Sequence, residues 1–190
     1  LEGARAEHLL YVLKVKPGLA MHDNGPWGAR EFNAEDLAWN MMRIIGSTAD
    51  AEGIPLSSFQ RRSLLEGMDK AEAVDDLTVR VTMSKPNSSF LNALAENRMV
   101  LMPKEIVDVG FDDPMKMGGV GAFKMSAFEQ GVKMTFDRSD NYFVKDEPYF
   151  DRYEQLVIPD RAAQIAAFIS GEISALGALQ NHELTALKAS

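Results

Sequence analysis

The sequence predicts a mixed α/β protein, of the α/β or α+β class, because three observations agree. Apolar residues alternate with polar ones across residues 77–83, which is typical of a strand with one buried face. Leu37, Met41 and Ile44 recur at helical spacing after the capping residue Asn33. Glycine, proline and asparagine separate segments of the two kinds, so helices and strands are expected to interleave.

The individual elements follow from the same signals. The predicted strands are residues 10–15, 71–74, 77–83, 123–128, 132–137, 153–158 and 173–176. Tight turns at residues 75–76 and 129–131 are expected to join four of these strands into two hairpins. The predicted helices begin at a capping residue or a proline, namely Asn33, Ser88, Pro103, Asp160 and Asn181. In the helix after Asp160, we expect Ile165, Phe168 and Ile169 to face the core.

Composition excludes several classes of function. The 190 residues contain 20 Lys and Arg against 28 Asp and Glu, which gives a formal net charge of −8. The sequence also lacks the cluster of basic residues that binding to nucleic acids requires. The absence of cysteine excludes disulfides, thiol nucleophiles, thiolate zinc sites and iron–sulfur clusters. No apolar run approaches the roughly 20 residues of a membrane-spanning helix.

No catalytic or metal-binding pattern stands out. His8, His22 and His182 are far apart and lack metal-ligand spacing, so surface or turn roles are expected for them. The glycine-rich residues 118–121 precede a predicted strand, whereas a phosphate-binding loop leads into a helix. We therefore predict no catalytic residue, no metal and no cofactor, and we favour binding over catalysis.

The order of short segments along the chain is more specific than any single motif. The segments are residues 15–23 (VKPGLAMHD), 32–39 (FNAEDLAW), 73–82 (AVDDLTVRVT), 85–91 (KPNSSFL), 102–105 (MPKE), 119–124 (GVGAFK), 137–143 (DRSDNYF), 157–160 (VIPD) and 170–173 (SGEI). In this order the chain resembles the family 5 solute-binding proteins of peptide/nickel-type ABC transporters, which are extracytoplasmic. Residues 24–30 enlarge the loop after residues 22–23 relative to the family pattern.

The resemblance implies part of lobe I of a two-lobed periplasmic-binding-protein-like fold, with a mixed sheet, hairpins and flanking helices. On this interpretation residues 1–190 form an incomplete lobe I and the second lobe is absent. Residues of about 20–150 form a peripheral subdomain, and residues 151–190 return to the sheet of the main lobe. We then expect a periplasmic or extracytoplasmic monomer that captures a peptide or similar small solute for an ABC transporter permease. Lipid anchoring of the full-length protein is left open.

The resemblance also implies where the ligand binds. In this family the strand and loop after the Gly-Glu-Ile motif run along the cleft, where main-chain groups suit peptide recognition. The ligand-side residues that this implies are Leu176, Gly177, Ala178 and Leu179. Arg98 and Met99 form a second candidate, since Arg98 can pair with a ligand carboxylate, although an exposed arginine without such a role is an equally good interpretation.

Two other functions remain open from the sequence. One is a sensor that binds a ligand or a protein partner on the same scaffold. The other is an enzyme that uses His22 or His182 together with nearby carboxylates.

Overall fold

The structure is a computed structural model that describes residues 9–49, 52–53 and 55–189 and contains two three-stranded antiparallel sheets. The first sheet has the order β1 (Leu10–Lys14), β3 (Thr78–Met83), β2 (Met68–Asp75). Strands β2 and β3 form the first predicted hairpin, in whose turn the Asp75 carboxylate accepts a hydrogen bond from the Leu77 amide at 2.9 Å. A short polar side chain that bonds the backbone two residues on stabilises such a turn, as the sequence predicted.

Helix α1 (Ala34–Ile44) packs against β2 and β3 and encloses the main core. It begins with a capping box, because the Asn33 side chain accepts the Asp36 amide and the Asp36 side chain accepts the Asn33 amide, both at 3.1 Å. The fully or almost fully buried side chains of this core include Met21, Phe32, Met41, Leu65, Val79, Val81, Met83, Phe90 and Ile106.

Short helical segments surround this core. The 3-10 turns Leu56–Ser58 and Arg62–Leu65 lie between α1 and β2. The helices α2 (Phe90–Leu94) and α3 (Ile106–Val109) and the 3-10 turn Pro114–Lys116 lie between β3 and the second sheet. None of the helices in the described part of the chain is long and apolar enough to cross a membrane.

The second sheet has the order β4 (Phe123–Glu129), β5 (Lys133–Arg138), β6 (Arg152–Leu156). The register places six apolar side chains on one face: Phe123, Met125, Phe128, Met134, Phe136 and Tyr153. This apolar face is incompletely covered, since Phe128 remains 39% and Tyr153 38% exposed. Strand β6, which follows the predicted boundary between the peripheral subdomain and the main lobe at residues 150–151, pairs with β5 in the same sheet. That boundary stays a prediction.

The opposite face of the second sheet carries charged side chains around the buried Thr135. Lys133 pairs with Glu154 at 2.8 Å, and Arg152 pairs with Asp137 at 2.5 Å, both across neighbouring strands. Cross-strand pairs of opposite charge stabilise the pairing of neighbouring strands.

The C-terminal part consists of α4 (Arg161–Ile169) and α5 (Asn181–Ala189). Asp160 caps α4 as predicted, through a 2.8 Å bond from the Ala163 amide. The predicted inward face of α4 is wrong for Phe168 and Ile169, which are 36% and 56% exposed. Ile165 is half-buried, and Ala167 is the residue that the helix buries.

Two further predictions in this region are wrong. Residues 173–176 form no strand, since the amides of residues 172 and 173 both bond back to the Ala167 carbonyl and no partner strand lies beside them among the described residues. Asn181 is the first residue of α5 rather than its cap, and the Gln180 amide before it bonds to the Glu183 carboxylate at 2.8 Å.

Candidate functional site

The predicted ligand-side residues 176–179, called here the ligand segment, lie in the connection between α4 and α5. Leu176 is half-buried, and Gly177, Ala178 and Leu179 are exposed. Ala178 has a φ of +53°, in the left-handed region that residues other than glycine rarely adopt. In the described part of the chain, the amides of residues 177–179 donate to no protein acceptor. The segment therefore presents main-chain donors to solvent.

Arg161 and Glu183 form the polar contacts behind the ligand segment. The Arg161 Nε and Nη2 atoms each lie 2.7 Å from a different carboxylate oxygen of Glu183. This hydrogen bonding lowers the pKa of Glu183 to about 2, with a second contribution from the Gln180 amide. The pair joins the start of α4 to the first turn of α5.

The second candidate pair, Arg98 and Met99, lies elsewhere in the fold. Arg98 is exposed and makes a 3.4 Å ion pair with Glu96. Met99 is half-buried and packs against the core of the first sheet. No hydrogen bond or ion pair among the described residues joins this pair to the ligand segment. The two predicted groups therefore share no polar contact among the described residues.

His22 is buried, so of the predicted surface or turn roles the surface role is wrong for this residue. Its Nε2 atom lies 2.9 Å from the Gly121 carbonyl, and its amide donates to the Gly119 carbonyl at 2.9 Å. Burial lowers the pKa of His22, and the neighbouring Lys124 adds to that effect. A buried neutral imidazole bonded to a carbonyl is a structural element here.

The other residues of the two predicted enzyme sites do not form a catalytic pair among the described residues. The Asp23 carboxylate bonds to Lys124 at 2.7 Å rather than to the adjacent His22. His182 is exposed, and His8 lies outside the described residues. No group of three metal-ligating side chains is present in the parts of the chain that the structure describes.

The enlarged loop after residue 23 docks on the glycine-rich loop, a contact that the sequence did not predict. The Trp27 Nε1 atom donates to the His22 carbonyl at 2.6 Å, and the indole ring lies against Gly25 and Gly118. The side-chain Nδ2 atom of Asn24 donates to the carbonyls of residues 115 and 117, both at 3.0 Å. Glycine near an inserted tryptophan is the one signal that could have indicated this contact.

Arg30, at the end of the same loop, forms a second polar cluster that the sequence did not indicate. Its guanidinium bonds to both oxygens of Asp36, at 2.6 and 2.7 Å, and to Glu105 at 2.6 Å. Asp36 is fully buried, and it also accepts the Lys104 amide at 3.2 Å. The cluster fixes the start of α1 to the segment before α3.

A cavity of about 820 Å³ lies between the C-terminal end of α1 and the start of β2, beside the 3-10 turn Arg62–Leu65. Its lining contains none of the predicted ligand residues.

Known proteins similar to this chain are bacterial binding proteins. The glutathione-binding protein GsiB of Pectobacterium atrosepticum is 27% identical over 168 residues, which is 88% of this chain and 30% of that protein. The oligopeptide-binding protein AppA of Bacillus subtilis is 27% identical over 174 residues, with 87% and 29% covered. The chain thus spans about 30% of the length of the curated relatives it matches.

A solved structure shares the fold of this chain. The ABC transporter-associated periplasmic binding protein DppA from Helicobacter pylori, solved with the peptide STSA, superposes with a TM-score of 0.71 at 21% identity. The match covers 87% of this chain and 34% of that one. The predicted fold class is confirmed, because such structural neighbours are two-lobed periplasmic binding proteins.

These relatives are named as binding proteins rather than as enzymes, which agrees with the prediction of no catalytic residue. Residues 6–190 match the family described as bacterial extracellular solute-binding proteins, family 5 middle. The chain therefore belongs to the family 5 bacterial extracellular solute-binding proteins, as the order of its motifs predicted.

Proposed function

We propose that this chain is part of the substrate-binding component of an ABC transporter, and that the ligand is a peptide or a similar small solute. The observation that carries the proposal is the family match over residues 6–190. GsiB, AppA and DppA, the similar proteins described above, are named for or solved with glutathione, an oligopeptide and the peptide STSA. All three ligands are peptides, so their main-chain donors and acceptors are the features that they share.

The geometry of the ligand segment supports this ligand class. Residues 177–179 expose three amides with no protein acceptor among the described residues, and Gly177 has no side chain to obstruct approach. A peptide presents carbonyl oxygens at intervals along an extended backbone, so it can accept from such amides. Recognition through the main chain would tolerate different ligand side chains.

We also propose that the chain supplies part of lobe I of a two-lobed, extracytoplasmic, monomeric protein. Residues of about 20–150 would form the peripheral subdomain, and residues 151–190 would return to the main lobe. The incompletely covered apolar face of β4–β6 supports this arrangement, because such a face is normally packed against another layer. Closure of two lobes on the solute would then present it to the permease.

The proposal is tested by thermal unfolding of the full-length gene product with reduced glutathione, trialanine, a nonapeptide and a nickel–histidine complex. A ligand at a hundred times its Kd stabilises the folded state by about 2.7 kcal/mol. We expect one of the peptides to raise the Tm and the nickel complex to leave it unchanged. A Tm that shifts with none of the peptides would contradict the peptide assignment.

A further inference from the structure

Arg161 contacts both ends of the connection between α4 and α5. It is the first residue of α4, and it makes the two 2.7 Å bonds to Glu183 in the first turn of α5. The remaining edges of the same guanidinium face the ligand segment. Nη1 lies 3.4 Å from the Gly177 carbonyl, and Nη2 lies 3.4 Å from the Ala178 carbonyl.

The guanidinium is bonded from several sides, while the Arg161 side chain remains 36% exposed. Its Nη1 atom donates to the Gln164 side chain at 2.8 Å, and Gln164 in turn donates to the Ile158 carbonyl at 2.5 Å. The Glu183 side chain is only 7% exposed and also accepts the Gln180 amide. Bidentate arginine–carboxylate geometry of this kind holds both groups in a single orientation.

Ala178 needs such support. Its left-handed backbone conformation is unfavourable for a residue with a Cβ atom and persists where the surroundings hold it. Arg161 donates to the carbonyl of this residue and to the carbonyl of the one before it. These contacts act on the two peptide units that determine where the amides of residues 178 and 179 point.

We infer that Arg161 is a positioning residue for ligand binding, which holds the ligand segment in the conformation that presents its amides. Glu183 and Gln164 orient Arg161. The inference rests on the proposed function, in which residues 176–179 meet a peptide. A segment that is already ordered loses less conformational entropy when the ligand binds, and this increases affinity.

The test separates the ion pair from the carbonyl contacts. Exchange of the two charges, Arg161→Glu with Glu183→Arg, restores an ion pair between the helices but places no donor at position 161. Arg161→Lys keeps a positive charge and a folded pair but cannot reach the carboxylate and two carbonyls at once. Arg152→Gln removes an exposed pair with Asp137 on the second sheet and serves as the matched control.

Order is measured by ¹⁵N relaxation of residues 176–180 in this chain, and affinity by calorimetry with reduced glutathione and trialanine on the full-length protein. In Arg161→Lys and in the charge exchange, we expect the order parameters to fall from about 0.8 to below about 0.6. We also expect Kd for the peptide that binds to rise about tenfold. The charge exchange should recover the Tm that is lost in Arg161→Glu alone, but it should restore neither the order parameters nor Kd. The control Arg152→Gln should leave the Tm, the order parameters and Kd unchanged.

Two results would overturn the inference. In the first, the charge exchange restores the order parameters and Kd together with the Tm. In the second, the order parameters fall in Arg161→Lys while Kd stays unchanged. The first result would mean that the Arg161–Glu183 pair has only a structural role. The second would mean that the ligand segment does not contact the ligand. If the wild-type protein binds neither peptide, the proposed ligand class fails. The order parameters then still show, separately, whether Arg161 holds the segment.

Discussion

The contact of Trp27 with the glycine-rich loop allows a quantitative test by Gly118→Ala. A Cβ atom at Gly118 would lie 2.4 Å from the Cζ2 atom and 2.7 Å from the Cε2 atom of the Trp27 indole. The indole cannot yield freely, because its Nε1 atom is bonded to the His22 carbonyl and its ring also lies against Gly25. The added methyl group must therefore displace either the ring or the loop.

The expected magnitude follows from two opposing effects. Forcing an extra methyl group into a packed site costs about 2 kcal/mol. Replacing glycine by alanine, where the backbone allows it, stabilises by about 0.5 kcal/mol through the unfolded state, and Gly118 does not have a positive φ. Gly118→Ala should therefore lose about 1.5 kcal/mol of the free energy of unfolding.

Gly119→Ala is the matched control, since its Cβ atom would meet nothing closer than the Leu101 carbonyl at 3.8 Å. Gly119→Ala should leave the free energy of unfolding unchanged or raise it by about 0.5 kcal/mol. The effects of the two alanine substitutions should therefore differ by up to about 2 kcal/mol. Urea unfolding followed by circular dichroism measures both variants.

A double-mutant cycle with Trp27→Leu identifies the contact, because leucine lacks the three indole atoms that the new methyl group would meet. In that background Gly118→Ala should lose its cost, which gives a coupling energy of about 2 kcal/mol. Equal effects of Gly118→Ala in the two backgrounds would refute the packing of Trp27 against the loop.

Three further predictions concern titratable groups. Asp36→Asn should lower the free energy of unfolding in urea by about 3 kcal/mol, because it removes a fully buried charge that pairs with Arg30. Glu105→Gln changes the half-buried acceptor of the same arginine and should lower it by less than about 1 kcal/mol. Folding lowers the pKa of Glu183 from 4.5 to about 2, so the ionised carboxylate stabilises the folded state fully above about pH 4.5. This stabilisation is lost as the pH falls towards 2, and Glu183→Gln should flatten the dependence of Tm on pH between these values. Because burial lowers the pKa of His22 below 6.5, the unfolded chain takes up this proton first and stability falls as the pH drops below 6.5; an NMR titration of the His22 ring in the folded chain should give a midpoint below that value.

Local signals were sufficient where the structure is determined by neighbours in sequence. The capping residue Asn33 and the alternation from residue 77 to residue 83 predicted α1 and the first hairpin, because a cap and a two-residue period are local properties. The motif order predicted the family and the fold class. The strand at residues 173–176 was predicted wrongly, since a strand requires a partner and none is beside it among the described residues.

The candidate site was less accessible to sequence reasoning. The resemblance named residues 176–179, but Arg161 and Glu183, which hold them, are 22 residues apart and match no motif. Likewise, the contacts of Arg30 with Glu105 and of Trp27 with Gly118 join segments far apart in sequence. Such contacts depend on how the elements pack, and a single sequence carries no spacing that reveals them.

The two parts of the chain differ in what holds them together, and that difference bears on ligand binding. The first sheet and α1 enclose a continuous apolar core, whereas α4 buries Ala167 and is joined to α5 by the Arg161–Glu183 pair. Segments with few buried apolar contacts open at low free energy, and ligand-binding loops are drawn from such segments. A polar pair can order the ligand segment without the rigidity that a packed core would impose. If so, adding the peptide that binds should raise the order of residues 176–180 in the Arg161→Lys variant of the full-length protein more than in the wild type, because the variant begins less ordered.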